Sequence, residues 1–102
     1  MKITNLQPQL TSLTKQDENN YTLDWGTIKK GSDRNRQLQL DSMQSQNATA
    51  RTSCGGCTSA KITDNVLNIN YNTNLLGRIL KYVYIYDAEE KTTIKLIGNI
   101  IK

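Results

Sequence analysis

Cys54 and Cys57 enclose two glycines, and a Cys-x-x-Cys pair offers three kinds of chemistry. It can exchange thiols for a disulfide, give two thiolates to zinc, or close a tight structural loop. The redox form stands at a helix start in a βαβ setting, and the flanking residues show neither. A closed zinc site takes four ligands, while the chain has two cysteines and no histidine. Metal binding would therefore need a second copy or a partner. The expectation is a tight loop, Cys54-Gly55-Gly56-Cys57, holding two reduced or locally bridged thiols, with no metal and no cofactor.

The absence of histidine also removes the commonest general base and any Ser-His or Cys-His nucleophile pair. Carboxylates remain, but Asp87, Glu89 and Glu90 crowd a short polar stretch between two apolar runs, where adjacent acids face water. No glycine-rich phosphate loop of the Walker or dinucleotide type is present. These exclusions point away from an enzyme. Two other features suit contact with a partner. Tyr82, Tyr84 and Tyr86 alternate along one segment, so they share one face of a strand. Such a stripe is either a recognition surface, where tyrosine is enriched, or one side of a sheet packed across its strands. Leu6, Leu10 and Leu13 stand apart in a polar N-terminal stretch and could order against a partner.

The elements that position these residues read as strands. Tyr21, Leu23 and Trp25 alternate with Thr22 and Asp24, and Leu38 and Leu40 alternate with Gln37, Gln39 and Asp41. Period two marks half-buried strands. Residues 42–53 are poor in large apolar side chains, with a possible strand through Ala48–Thr52. Leu67, Ile69 and Tyr71 alternate with asparagines, which line the wet face. Residues 78–86 are rich in aromatic and β-branched types and form the strongest strand. Asp87 to Lys91 reads as a polar hairpin loop, and a last strand runs from Thr92 to about Ile101. About seven short strands between turn signals predict an all-β, immunoglobulin-like antiparallel β-sandwich. Trp25, Leu38, Leu40, Leu67, Ile69, Val83, Ile85, Ile94 and Leu96 are expected to form its core, buried between two sheets. Residues 21–102 make up the domain. Residues 1–20 read as an arm or a first edge strand, since Pro8 interrupts the helical spacing of the three leucines.

Length and charge narrow the partners. A chain of 102 residues fits one small domain with little room for a deep cleft. The net charge is +4, but the bases are scattered from Lys2 to Lys102 and only Lys29 and Lys30 touch. Nucleic-acid binding needs clustering, so none is expected. No apolar run approaches the roughly 20 residues that cross a bilayer, so no membrane is expected. The start, Met1 to Pro8, lacks the apolar stretch of a signal peptide. The chain is therefore expected to stay where it is made, although a mature secreted product would read the same way.

With the strands laid out, the pattern from Tyr21 to Ile100 resembles a bacterial family of immunoglobulin-like domains common in Bacteroides-type bacteria. That family is related to the major-sperm-protein and ASPM–Hydin type domains. Its members tend to read aromatic-x-Asp-Phe-Gly-x-Ile-x-x-Gly, which Tyr21-Thr22-Leu23-Asp24-Trp25-Gly26-Thr27-Ile28-Lys29-Lys30-Gly31 resembles, with Trp25 in the aromatic place. A Thr-Ser-Cys-Gly-Cys-Thr signature follows, seen as Thr52-Ser53-Cys54-Gly55-Gly56-Cys57-Thr58 with one extra glycine. Tyr71, Gly77 and Gly98 occupy the family's later landmarks, while its usual Pro-Gly before the next strand is missing. The resemblance covers about four-fifths of the chain. Together with the richness in Asn, Lys and Ile, it implies a non-enzymatic structural protein of a bacteriophage of such hosts. The auxiliary capsid proteins of crAss-like phages are similar in size and kind. The implied partners are capsid or other virion proteins in an assembly of many copies, with the protein made in the host cytoplasm. The alternative is an exported binding domain of the periplasm or cell envelope.

Overall fold

The computed structural model describes residues 1–43 and 47–102. Residues 44–46 of the polar 42–53 stretch lie outside the described residues. Among the described residues the chain forms nine strands and no helix. In chain order they are β1 (Lys2–Asn5), β2 (Ser12–Asp17), β3 (Asn20–Lys29), β4 (Asn35–Asp41) and β5 (Thr49–Thr52), then β6 (Thr58–Thr63), β7 (Val66–Tyr71), β8 (Gly77–Asp87) and β9 (Glu90–Ile101). They make two sheets, a four-stranded one in the order β1-β4-β7-β6 and a five-stranded one in the order β2-β3-β9-β8-β5. If β1 and β4 to β9 are lettered A to G, the sheets read A-B-E-D and G-F-C. That is the immunoglobulin-like arrangement. The β2–β3 hairpin extends the second sheet beyond the last strand, β9.

All neighbouring strands are antiparallel except β3 and β9, which run parallel with Tyr21 opposite Ile94 and Leu23 opposite Leu96. A parallel pair needs a long connection, and here everything from β4 to β8 supplies it. The register of this pair shifts between Asp24 and Thr27, at a bulge containing Gly26. Gly98 packs against that bulge. A Cβ at Gly98 would lie 3.0 Å from the Gly26 carbonyl oxygen, 3.0 Å from Trp25 Cβ and 3.2 Å from Ile79 Cδ1. Only glycine lets the two backbones approach this closely.

Alternation drives the core, because successive side chains on a strand point to opposite faces. Leu38, Leu40, Leu67 and Ile69 meet Trp25, Val83, Ile85, Ile94 and Leu96, each no more than 2% exposed. Removing one such side chain from water stabilises the fold by about 1.5–3 kcal/mol. Ile3, Tyr21, Leu23, Tyr71, Ile79 and Ile100 complete the cluster.

Several elements differ from the sequence-based expectation. The sandwich has nine strands rather than about seven, and of the two readings of residues 1–20, arm or edge strand, the structure has edge strands. The first twenty residues supply one edge strand to each sheet. β1 pairs with β4 and buries Ile3, while β2 pairs with β3. The stretch Thr58–Thr63, which carries no strong pattern, is the edge strand β6. The polar loop after β8 shrinks to Ala88-Glu89, with Asp87 paired to Glu90. Asp87 is fully buried because it continues the inward parity of Val83 and Ile85. Arg36, on the inward side of β4, is 3% exposed, and its guanidinium lies 4.2 Å over the Trp25 ring.

Candidate functional site

The alternation that buries Val83 and Ile85 turns Tyr82, Tyr84 and Tyr86 outward on β8, onto the outer face of the five-stranded sheet. Strand register then decides what surrounds them. Tyr84 lies opposite Arg51 of β5 and Thr93 of β9; Tyr82 lies opposite Lys95 and Tyr86 opposite Lys91. The rings of Tyr82 and Tyr84 stack with centroids 6.3 Å apart and planes 10° apart. Lys91 Nζ sits 4.6 Å from the Tyr84 ring centroid, within cation–π range.

Toward the start of β8 the same face continues with Leu80 opposite Ile97 and Arg78 opposite Asn99. Leu80 is 45% exposed. The Gly26 bulge and Gly98 bare the sheet floor here, leaving an open groove of about 500 Å³ bordered by Asp24, Arg78, Leu80, Lys95 and Ile97. Arg51, Arg78, Lys91 and Lys95 thus share a face with three tyrosines and one carboxylate, Asp24. A flat array of rings edged by cations can stack on and pair with a partner surface.

The outer face of the four-stranded sheet is different. Gln37 Nε2 donates to Asn68 Oδ1 at 2.9 Å, and Asn70 Nδ2 donates to Asn35 Oδ1 at 2.8 Å. Gln39 Nε2 donates to the Asn65 carbonyl at 3.2 Å, and Gln7 Oε1 accepts from the Gln37 amide at 3.0 Å. Its amides spend their hydrogen-bonding capacity on one another and on the backbone.

The cysteine loop lies where the chain leaves β5 in one sheet for β6 in the other. A disulfide joins Cys54 to Cys57. Cys57 is 8% exposed and packs in the core, while Gly55 and Gly56 form the exposed tip. Thr58 N donates to the Cys54 carbonyl at 3.0 Å and Asn72 N to the Cys57 carbonyl at 2.9 Å, which fixes the loop to its neighbours. Among the described residues no group of three or more His, Cys, Asp or Glu side chains could hold a metal. Among the described residues no helix is long and apolar enough to cross a membrane.

The three N-terminal leucines do not act as one face. Leu6 and Leu10 are 44% and 42% exposed in the β1–β2 connection, whereas Leu13 turns inward on β2 and packs against the core. Sequence reasoning found the tyrosines but not the cations beside them, since the pairing of β5 and β9 with β8 is not written in local pattern. It also missed the buried Arg36–Trp25–Tyr71 cluster, in which the two rings lie 5.9 Å apart. Arg36 Nη1 donates to the carbonyls of Asp33 and Asn35 at 3.0 and 2.7 Å. Burial lowers the guanidinium pKa from its ordinary value, with Asp33 acting in the opposite sense. Burial likewise raises that of the Tyr71 hydroxyl. No family model, no curated protein and no solved structure matches this chain.

Proposed function

We propose that the chain is a non-enzymatic protein-binding sandwich that docks through the outer face of its five-stranded sheet. We place it in a bacteriophage virion, as an auxiliary capsid or decoration protein. The observation that carries the binding role is the outward stripe Tyr82-Tyr84-Tyr86, set between Arg51, Lys91 and Lys95. Tyrosine and arginine dominate interface hot spots, because each combines a large contact area with a polar tip. The virion setting is supported by the resemblance of the Tyr21–Gly31 and Thr52–Thr58 segments to the Bacteroides-type family. The richness in Asn, Lys and Ile adds to that support.

One observation favours the second setting, an exported domain of the periplasm or cell envelope. The Cys54–Cys57 disulfide belongs to an oxidising compartment. An antibody raised against the purified domain separates the two settings on fractions of the source culture. In the virion setting the protein bands with purified particles, and the Tyr82→Ser, Tyr84→Ser double variant fails to add back to particles stripped of it. Detection in envelope fractions alone would replace the virion setting with the envelope one. Full add-back of the double variant would remove the tyrosine face from the binding role.

A further inference from the structure

Charges that lie scattered in the sequence are sorted by the fold. β9 has twelve residues, which at a rise of about 3.3 Å each gives about 40 Å. The longest dimension of the molecule is 42 Å, so the strands of the five-stranded sheet run along it. At one end the β2–β3 and β8–β9 hairpins close, carrying Asp17, Glu18, Glu89 and Glu90. β4 runs toward the same end, and Leu40 N donates to the Asn65 carbonyl at 2.8 Å, so the β6–β7 turn sits beside it. Asp41 and Asp64 join the acidic group there. With Asp87, seven of the nine carboxylate side chains fall in this half, against Lys2, Lys15, Arg51, Lys61 and Lys91.

At the opposite end β3 and β9 finish and β8 begins, which gathers Lys29, Lys30, Arg78 and Lys102. Lys30 N donates to the Ile101 carbonyl at 2.7 Å and Gly31 N to the Thr73 carbonyl at 3.2 Å, which ties the loops of this end together. Arg34 lies just before β4, and Asp33 is the one acid side chain in the group. This basic end also exposes Leu75, Leu76 and Ile101, between 43% and 49% of each. Apolar residues among charged ones are the make-up of a protein interface rather than of a solvated loop end.

We propose that copies of this domain associate head to tail along the strand axis, the acidic hairpin end of one against the basic end of the next. The occupant is a second copy because each molecule carries both complementary surfaces at opposite ends of its long axis. A two-fold pair along that axis would set like charges together, whereas a translated copy sets Asp17, Glu18 and Glu89 against Lys29, Lys30 and Lys102. Such contacts are heterologous and extend into a chain or close into a ring. At physiological salt charges reach only about 8 Å, so the attraction acts between touching ends. The inference is separate from the tyrosine face, which lies along the side of the molecule.

Sedimentation velocity of the purified domain tests it. At low ionic strength the wild type should form species that grow with concentration and fall back to monomer near 1 M salt, where screening shortens the reach to about 3 Å. The Lys29→Glu, Lys30→Glu variant cancels the charge of the basic end, leaving three acids against Arg34, Arg78 and Lys102, and the Glu18→Lys, Glu89→Lys variant reverses the acidic end, leaving five acids against seven bases. Each alone should associate at least about tenfold more weakly, since the first loses the attraction and the second sets like charges together. An equimolar mixture of the two should regain the contact between the intact acidic end of the first and the intact basic end of the second. A melting curve checks that each is folded, and either variant tests the contact from its own side should the other fail to fold. A wild type that stays monomeric at low salt at every concentration would overturn the proposal, as would either variant alone associating like the wild type.

Discussion

The two outer faces of the sandwich rest on one core and follow the same alternation, yet they treat their polar groups in opposite ways. On the four-stranded sheet, Gln37 pairs with Asn68 and Asn70 with Asn35, so the amides satisfy each other across the strands. On the five-stranded sheet the side chains meet through ring stacking and a lysine above a ring, while Arg51 and Lys95 flank the stripe. A face of mutually bonded amides loses those bonds when a partner displaces them. A face of stacked rings and cations keeps its internal contacts and still offers area and charge. The difference is what the proposed docking role rests on, while the core beneath serves both faces.

The largest effect tests the shared core. Ile69 belongs to the four-stranded sheet and Leu96 to the five-stranded one, and both are completely buried. Ile69→Ala and Leu96→Ala should each lose about 2–5 kcal/mol in urea unfolding, through lost transfer energy and the cavity left behind. Against a total of about 5–15 kcal/mol, either loss lowers the melting temperature visibly. If one variant melted like the wild type, the sheets would not be packed as one unit, and comparing their outer faces would lose its basis.

How much of this was legible from residues alone follows from what burial writes into a strand. Two-sided strands must alternate, so Leu67 and Ile69, Val83 and Ile85, and Ile94 and Leu96 announced both their strands and their inward face. Edge strands need less burial and announce less. β6 offers only Ala60 and Ile62 half-buried among Thr, Ser and Lys, and β1 offers Ile3. Arg36 and Asp87 are buried at positions where apolar patterning cannot register a charged side chain. The tyrosine stripe was readable because it lies on one strand. Arg51, Lys91 and Lys95 were not, because they reach it only through pairing between strands far apart in the chain. The charged ends are the extreme case, invisible until hairpins and crossovers fix which turns point the same way.

A moderate effect sharpens the contrast between the faces. Tyr82→Ser with Tyr84→Ser should weaken docking on purified particles by about 2 kcal/mol or more, the loss typical of hot-spot tyrosines. Gln37→Ser with Asn68→Ser removes both members of an exposed bonded pair and should change docking and stability by no more than about 0.5 kcal/mol. Surface plasmon resonance against immobilised particles and thermal melts measure both. Equal losses of docking from the two double variants would mean that recognition uses both faces, or neither in particular.

The smallest effect concerns the hairpins that close the two sheets. The β6–β7 turn of the four-stranded sheet is set by backbone conformation, with Asp64 at φ 51° and Asn65 at φ 63°. Two central residues at positive φ make the type I′ turn that matches strand twist. The β2–β3 turn of the five-stranded sheet relies on a side chain instead. Asp17 Oδ1 accepts from the Asn19 amide at 3.0 Å and from Asn20 Nδ2 at 2.8 Å. The Asn19 backbone bond is the first cause that lowers the Asp17 pKa, followed by the Asn20 side-chain bond. A lowered folded pKa means that the ionised carboxylate supports the turn fully above its unfolded value of about 3.9. That support disappears as pH falls through the folded value. The carboxylate is exposed, so solvent screens most of the gain and the change in global stability is small. Following the Asn19 amide by NMR during acidification should therefore reveal a titration below the ordinary aspartate range. The stability advantage of wild type over Asp17→Asn should shrink over the same interval. Identical pH dependence of the two proteins would show that this turn, like its counterpart between β6 and β7, is held by backbone conformation alone.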